Sequence, residues 1–127
     1  MINVRIVTPN GLYKETTASI INVVSLDGER GILPNHMPIV VSLKISKMEL
    51  AEEKREVYAI AGGMLYFKDN ECTILTPAIE NKEDIDLRRA EEAKERAEKR
   101  IHDPNMDQKR AEVALRKAMN RISVKGY

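Results

Sequence analysis

The sequence predicts an α+β fold: an N-terminal antiparallel β-sandwich followed by a C-terminal antiparallel two-helix hairpin. Residues 1 to about 80 contain short apolar segments separated by turn residues, which is typical of a sandwich. From Asp84 onward the apolar residues recur at helical steps, and glycine is absent until Gly126. The predicted domains are therefore residues 1–83 and residues 84–127.

The composition limits the classes of function. The chain has 127 residues, of which 43% are hydrophobic and only 4% aromatic, so its core must be aliphatic. A net charge of +1 gives no overall attraction to nucleic acid or anionic lipid. A single cysteine excludes an internal disulfide, and neither a signal peptide nor an apolar stretch of about 18 residues occurs. We therefore expect a soluble cytoplasmic protein.

The first strand is predicted at the N-terminus, because Ile2, Val4 and Ile6 alternate with polar residues. Further β-branched and apolar segments predict strands at residues 20–25, 39–43, 57–61, 64–67 and 72–75. Gly62-Gly63 is predicted to separate two of these strands. Residues 45–56 are predicted as strand and turn rather than helix.

Residues 28–38 are rich in glycine and proline. One interpretation is a long connection with Ile32 and Leu33 packed inward. The alternative, a surface that contacts another protein, is implied by the family resemblance described below. The sequence by itself favours neither.

Two helices of equal length are predicted, at residues 86–101 and 107–122. Pro104 ends the first helix, and Asp107 can cap the second. A short loop between equal helices favours antiparallel packing. Pairs of Glu92 with Arg96 and of Glu95 with Lys99 are expected to support the first helix.

The predicted seam between the helices is made mainly of alanine. Folding the hairpin about its loop pairs Ala90 with Ala118, Ala93 with Leu115, and Ala97 with Ala111. An alanine methyl group contributes far less on burial than a leucine side chain. We therefore expect only a small free-energy difference to favour the closed hairpin over the open one, so that the hairpin is able to open.

The same folding brings Lys117 and Arg121 against Asp86 and Arg89. Cations beside a helix N-terminus suit a phosphate group. The alternative is structural: Asp86 would be only a helix cap, and the cations only solvated or in weak surface pairs. On spacing alone the structural role is favoured.

No catalytic site is predicted. Gly62-Gly63 lacks the Gly-Lys-Ser/Thr ending of a phosphate-binding loop. His36, Cys72 and His102 share no motif of a catalytic triad or metal site. Cys72 is predicted to be a core residue, and the chain is predicted not to be an enzyme.

Four motifs occur in the same order as in a known family: Gly31-Ile32-Leu33-Pro34-Asn35-His36-Met37-Pro38, Ala61-Gly62-Gly63-Met64-Leu65, Ile85-Asp86-Leu87-Arg88-Arg89-Ala90, and Arg110-Ala111-Glu112 with Ala118-Met119-Asn120-Arg121. Together they cover almost the whole chain, which resembles the epsilon subunit of bacterial F-type ATP synthase. The resemblance implies a non-catalytic rotor subunit of the central stalk, peripheral to the cytoplasmic face of the cell membrane. It would couple proton-driven rotation to ATP synthesis.

The resemblance also implies partners and a ligand. The partners are the gamma subunit, the c-ring, contacted by Glu29 and His36, and the alpha/beta catalytic hexamer, where the C-terminal helices inhibit ATP hydrolysis. No catalytic cofactor or metal is implied, but some bacterial members bind regulatory ATP in the folded hairpin. The matching positions here are Glu80, Ile85, Asp86, Arg89, Ala90, Arg96, Lys117 and Arg121. At the position of Lys117 such members carry arginine. Lysine keeps the positive charge but lacks the planar guanidinium group that binds phosphate with two N–H donors.

A different class of function remains as the alternative. The basic residues of the tail are compatible with a stand-alone adaptor or nucleic-acid-binding module. The near-zero net charge and the scarcity of aromatic residues weigh against it.

Overall fold

The computed structural model describes residues 1–127, which form two compact units, Met1–Asn81 and Lys82–Tyr127. The first unit contains the strands β1 (Ile2–Thr8), β2 (Gly11–Ala18), β3 (Ile20–Ser25), β4 (Gly28–Ile32), β5 (Ile39–Ala51), β6 (Arg55–Lys68), β7 (Glu71–Leu75) and β8 (Ile79–Asn81). The second contains a 3₁₀ turn (Lys82–Asp84) and the helices α1 (Leu87–Ile101) and α2 (Gln108–Lys125). The predicted α+β fold is confirmed.

The strands of the first unit form one sheet that folds over on itself. Its order is β2-β1-β7-β6-β5-β3-β4, with β8 paired to β6. Ala18 of β2 and Ile32 of β4, from opposite ends of this order, belong to the same apolar cluster. The cluster therefore fills the interior of an open sandwich. One pair departs from the antiparallel prediction: β1 and β7 run parallel, which the long connection between them permits.

The prediction that Gly62-Gly63 separates two strands is wrong. Both glycines lie inside β6, with φ of 84° and 122°. The pairing with β5 keeps one register across the glycines, from Leu43 opposite Gly63 to Ile45 opposite Ala61. A Cβ at Gly63 would lie 2.0 Å from the main-chain oxygen of Leu75. The glycines therefore bend one long strand instead of ending it.

Most of the predicted strands are confirmed. Ile2, Val4 and Ile6 are buried in β1, and residues 45–56 form strand, bend and strand. Strands β2 and β4 were not predicted, because their side chains are mostly exposed and carry little apolar alternation. In the 28–38 segment Ile32 is fully buried but Leu33 is 57% exposed, so the inward packing predicted for Leu33 is wrong. Consecutive residues in extended chain point to opposite sides.

Each helix begins at an aspartate cap. The Asp86 carboxylate accepts the Arg89 main-chain N–H at 3.2 Å, and Asp107 accepts that of Arg110 at 3.1 Å. The predicted cap at Asp107 is confirmed. Helix α2 continues past the predicted end at residue 122.

The ion pairs on α1 differ from the predicted ones. Arg88 pairs with Glu92 at 3.2 Å, and Lys94 pairs with Glu98 at 3.9 Å. The predicted pairs of residues 92 with 96 and 95 with 99 are not formed. All these partners are exposed, so several pairings of similar energy compete. Neither helix combines the length and apolar character that crossing a membrane requires.

Candidate functional site

The seam of the helical unit is a stripe of alanines. Helices α1 and α2 pack along each other, and Ala90, Ala97, Ala111 and Ala118 are each no more than 2% exposed. On each helix the two alanines are seven residues apart, which puts them on one face. The burial agrees with the predicted pairs of Ala90 with Ala118 and of Ala97 with Ala111, whereas Ala93 and Leu115 are only half-buried.

Contacts at one end of the hairpin fix its direction. Lys82, just before α1, donates from Nζ to the main-chain oxygen of Tyr127, just after α2. Lys125, in the last turn of α2, donates from Nζ to the main-chain oxygen of Lys82 at 3.2 Å. The start of α1 therefore lies beside the end of α2, and the predicted antiparallel arrangement is confirmed.

The predicted nucleotide-binding residues are divided between the two units. Glu80 lies in β8 of the sheet unit, and all the others lie in the helical unit. Ile85 and Ala90 are buried, whereas Asp86, Arg89, Arg96 and Lys117 are exposed and Arg121 is half-buried. Within the helical unit the predicted group thus consists of four exposed polar side chains, the half-buried Arg121 and two buried apolar residues.

Helix geometry puts the cations of this group on one flank of the hairpin. Arg89, Arg96 and Lys117 each immediately precede a buried alanine, which turns them about 100° from the seam. In an antiparallel pair, the positions preceding the seam on each helix lie on the same side. Arg121 follows Ala118 by three residues and is turned to that side by about 60°. We refer to Arg89, Arg96, Lys117 and Arg121 as the basic flank.

Most of the basic flank is available for an anion. The side chains of Arg89, Arg96 and Lys117 have no carboxylate within ion-pair distance. The acidic member of the group, Asp86, is engaged as the cap of α1. The structural role considered for Asp86 is therefore present, and the exposed Arg89, Arg96 and Lys117 are compatible both with solvated cations and with an anion site.

The two predicted c-ring residues lie within the glycine- and proline-rich segment 28–38. Glu29 is exposed in β4. His36 stands edge-on to Phe67 with ring centroids 5.9 Å apart, and its Nδ1 lies 2.7 Å from the main-chain oxygen of Met37. The His36 ring therefore packs its loop against Phe67 of β6.

That loop is held by a reciprocal pair of asparagines. The Asn35 main-chain N–H donates to the Asn70 side-chain oxygen at 2.6 Å, and the Asn70 amide donates to the Asn35 side-chain oxygen at 3.0 Å. The loop leaves Leu33 57% exposed and Met37 73% exposed. These apolar positions were not predicted as site residues.

A second surface was also missed from the sequence. Strand pairing aligns Met64 with Leu75, Leu75 with Val7, and Val7 with Leu12, and the neighbouring row aligns Val40 with Tyr66. We call these six residues the apolar outer face. Val40 is 60% exposed and Leu12 56% exposed, and a cavity of about 530 Å³ adjoins Val40 and Tyr66. The sequence does carry a signal, because each of these strands has an apolar residue at an outward position. The signal can be recognised only when the order of the strands in the sheet is known.

The thiol of Cys72 is buried, and burial raises its pKa to about 12. The prediction that Cys72 is a core residue is confirmed. A thiol in this environment stays protonated and unreactive near neutral pH.

Two known domain families account for the chain. Residues 1–82 match the beta-sandwich domain of the ATP synthase Delta/Epsilon chain, and residues 83–126 match its long alpha-helix domain. The chain belongs to the ATP synthase delta/epsilon chain family. As a member of this family it is a non-catalytic subunit, and the resemblance noted in the sequence is confirmed.

Curated relatives agree with the ATP synthase family, and two solved structures share the fold. The ATP synthase epsilon chain of Ligilactobacillus salivarius is 39% identical, covering 98% of this chain and 94% of the relative. That of Lactobacillus helveticus is 42% identical, covering 98% and 92%. The fold is shared with a chain of the Euglena gracilis mitochondrial ATP synthase, in a structure of OSCP, F1 and c-ring (TM-score 0.81, 24% identity, covering 94% of this chain and 78% of that one). It is also shared with a chain in the central stalk and c-ring structure from Tetrahymena thermophila (TM-score 0.61, 12% identity, covering 98% and 93%).

Proposed function

We propose that the chain is a rotor subunit in the central stalk of an F-type ATP synthase, at the cytoplasmic face of the cell membrane. In this role it binds the gamma subunit and the c-ring and couples proton-driven rotation to ATP synthesis. Family membership is the main support, because relatives about 40% identical over nearly the full length are epsilon chains. The Euglena and Tetrahymena chains of the same fold come from assemblies described with a c-ring.

The gamma subunit is proposed to dock on the apolar outer face. A row of large, partly exposed apolar side chains across neighbouring strands is unusual on a free surface and typical of a binding site. Val40 at 60% and Tyr66 at 42% exposure stand beside a cavity that can accept a side chain of the partner. An aromatic residue beside a cavity is a frequent anchor of interfaces.

The docking proposal is tested by Val40→Lys and Tyr66→Lys, measured as binding to purified gamma subunit. We expect each to weaken binding by at least roughly tenfold, because a lysine would be desolvated at the centre of the interface. Leu26→Lys is the matched control, since Leu26 is 64% exposed in the turn between β3 and β4, outside the apolar outer face. Equal binding by all three variants would exclude this face as the gamma-binding surface.

The c-ring is proposed to contact the loop that carries His36, together with Glu29. The asparagine pair orders this loop before any partner binds, and the exposed Leu33 and Met37 supply apolar contact area. Loss of c-ring association in Met37→Asp, with gamma binding retained, is the expected result. Retained c-ring association would argue against this loop as the contact.

The helical hairpin is proposed to be a mobile inhibitor whose closed state binds ATP. The observation that supports this is the basic flank: cations from both helices on one side of an alanine seam, of which Arg89, Arg96 and Lys117 have no carboxylate within ion-pair distance. Opening the hairpin separates the α1 cations from those of α2. In the open state the helices extend to the alpha/beta hexamer and inhibit ATP hydrolysis.

ATP would favour the closed hairpin through this flank. Arg89, Arg96 and Arg121 offer guanidinium forks to phosphate oxygens, and Lys117 adds a point charge. The other predicted residues of the helical unit are Ile85, Asp86 and Ala90. A ligand that binds only the closed state stabilises it by about 2.7 kcal/mol at a hundred times its dissociation constant.

Isothermal titration of ATP into wild type and Arg89→Ala tests the nucleotide site. We expect measurable binding in wild type and a large loss in Arg89→Ala. Arg88→Ala is the matched control, because Arg88 is the adjacent arginine and pairs only with Glu92. Equal, non-zero heats in wild type and Arg89→Ala would refute the assigned site.

Inhibition is tested separately, by removing the residues after Glu83 from the subunit in the assembled enzyme. We expect ATPase activity to rise, because the helices that obstruct the hexamer are gone. Unchanged ATPase activity would count against an inhibitory hairpin but leave the rotor role in place.

A further inference from the structure

Two lysines close the end of the hairpin where the chain enters α1 and leaves α2. Lys82 donates from Nζ to the main-chain oxygen of Tyr127, and Lys125 donates from Nζ to the main-chain oxygen of Lys82 at 3.2 Å. Each lysine thus binds the backbone of the other's segment. We call Lys82 and Lys125 the lysine clasp.

The clasp is built into an ordered end of the unit. The Lys82 oxygen also accepts the main-chain N–H of Ile85 at 3.3 Å, and Ile85 is only 3% exposed. The Tyr127 main-chain N–H donates to the oxygen of Val124, which is 1% exposed. Both partners of the clasp are therefore anchored next to buried apolar side chains. Cationic groups are also favoured at a helix C-terminus, where the last carbonyl groups lack intrahelical partners.

We propose that the lysine clasp holds the hairpin closed in the absence of nucleotide and thereby sets the affinity of the nucleotide site. The affinity part rests on the proposed ATP site, whereas the closing part does not. The clasp joins segments that belong to opposite ends of the helical unit in sequence. When the hairpin opens, both ammonium groups return to water and both bonds are lost.

Small contacts can control this equilibrium because the seam itself is weak. Four buried seam positions are alanines, so the seam removes fewer apolar groups from water on closing than a seam of leucines would. For a ligand that requires the closed state, the apparent dissociation constant equals the intrinsic dissociation constant of the closed state divided by the fraction of molecules that are closed. Any loss of the clasp is therefore expected to appear both as opening and as weaker ATP binding.

The test measures opening directly on the whole chain. Spin labels are introduced at Glu91→Cys on α1 and Met119→Cys on α2, both exposed positions. The native Cys72 is buried, with its pKa raised to about 12, and stays unlabelled. Without nucleotide, Lys82→Ala with Lys125→Ala is expected to shift the distances toward longer values. Lys109→Ala, an exposed lysine in the first turn of α2, is the control that keeps the wild-type distances.

Two further measurements make the result specific. Lys82→Arg retains a cationic donor and is expected to keep the short distance. The double alanine variant is expected to bind ATP roughly three- to tenfold more weakly than wild type and to regain the short distance at saturating ATP.

Identical distance distributions in wild type and the double variant without nucleotide would overturn the proposal. Absence of ATP binding in wild type would refute the nucleotide site alone, because the distances without nucleotide still test the clasp. The failure of the clasp and the failure of the nucleotide site are therefore distinguishable.

Discussion

The two units of this chain are held together in different ways. In the sandwich, large aliphatic side chains such as Ile6, Leu65 and Ile74 are completely buried in one cluster drawn from distant strands. In the hairpin, four buried seam positions are alanines, and Ile85 and Val124 are the larger buried side chains. The named polar contacts are the caps and a lysine clasp at one end. A buried isoleucine or leucine contributes about 1.5–3 kcal/mol and a methyl group about 0.8 kcal/mol. The difference shows that one short chain can encode both a stable sandwich and a helical hairpin that opens easily.

The largest expected effect is in the sandwich core. Ile74→Ala removes a fully buried side chain from β7 and leaves a cavity, so we expect the free energy of unfolding of the sandwich to fall by about 2–5 kcal/mol. Denaturant unfolding of the 1–83 fragment and of the whole chain measures it. Leu75→Ala, at an exposed neighbouring position, is the control and should cost far less. Similar losses in both would mean that the core is not the main source of stability.

The second prediction concerns the bend in β6. Gly63→Ala forces a side chain into positive φ, which alone costs about 1–3 kcal/mol, and adds a contact of 2.0 Å with the Leu75 oxygen. Gly28→Ala separates the two causes, because Gly28 has φ of 123° and no atom within 4 Å of the added Cβ. In thermal unfolding, the midpoint temperature of Gly63→Ala should be well below that of Gly28→Ala. An equal effect would mean that only the backbone conformation matters.

The third prediction applies to the hairpin. Asp107→Ala removes the side-chain acceptor that caps α2, at an expected cost of about 0.5–2 kcal/mol. Because the seam is thin, hydrogen exchange of α2 amides should accelerate while that of the sandwich strands stays unchanged. Asp107→Asn, which retains an acceptor, should restore most of the protection. Acceleration that spreads through both units would contradict the contrast between them.

The smallest expected effect is on the pH dependence of the sandwich's stability, and it comes from three hydrogen-bonded side chains. Lys14 donates to the Glu56 carboxylate at 2.8 Å and to the Tyr58 hydroxyl at 3.1 Å, and Tyr58 donates to Glu56. The hydrogen bond from Lys14 lowers the pKa of Glu56, and the same bond raises the pKa of Lys14. Burial raises the pKa of Tyr58 to about 12.

The signs follow from these directions. The contribution of Glu56 is present above the ordinary pKa of 4.5 and is lost as the pH falls through its lowered folded pKa. That of Lys14 is present below 10.5 and is lost as the pH rises through its raised folded pKa, and Tyr58 adds to the alkaline loss. Both side chains are partly exposed, so we expect less than about 1 kcal/mol. Urea unfolding from pH 3 to 7 should show a weaker acid dependence in Glu56→Gln; identical slopes in both proteins would argue against the pair.

The secondary structure was more predictable than the strand connections. The alternation of Ile2, Val4 and Ile6 and the helical steps of alanine are local patterns, and both were interpreted correctly. Gly62-Gly63 was misinterpreted because a glycine pair marks either the end of a strand or a bend within it, and only the pairing with β5 distinguishes them. Strand β2 was missed because an edge strand with exposed side chains has no apolar alternation.

The candidate site was predictable only in part. The motif around Asp86 and the cations near Arg121 are visible in the sequence, and so is the alanine seam that aligns them. The lysine clasp joins residues 82 and 125, and no local pattern indicates that contact. The ion pairs predicted on α1 differ from those formed, because exposed charges have several partners of similar energy within one turn.

The sequence by itself determined the class of fold, the helix caps and the family, because hydrophobic period, cap residues and motif order are properties of neighbouring residues. The tertiary structure decided the parallel pairing of β1 with β7, the bend at Gly63, the apolar outer face and the lysine clasp. Each of these depends on which distant segments meet. That choice is made by the burial of the whole core and not by any single segment.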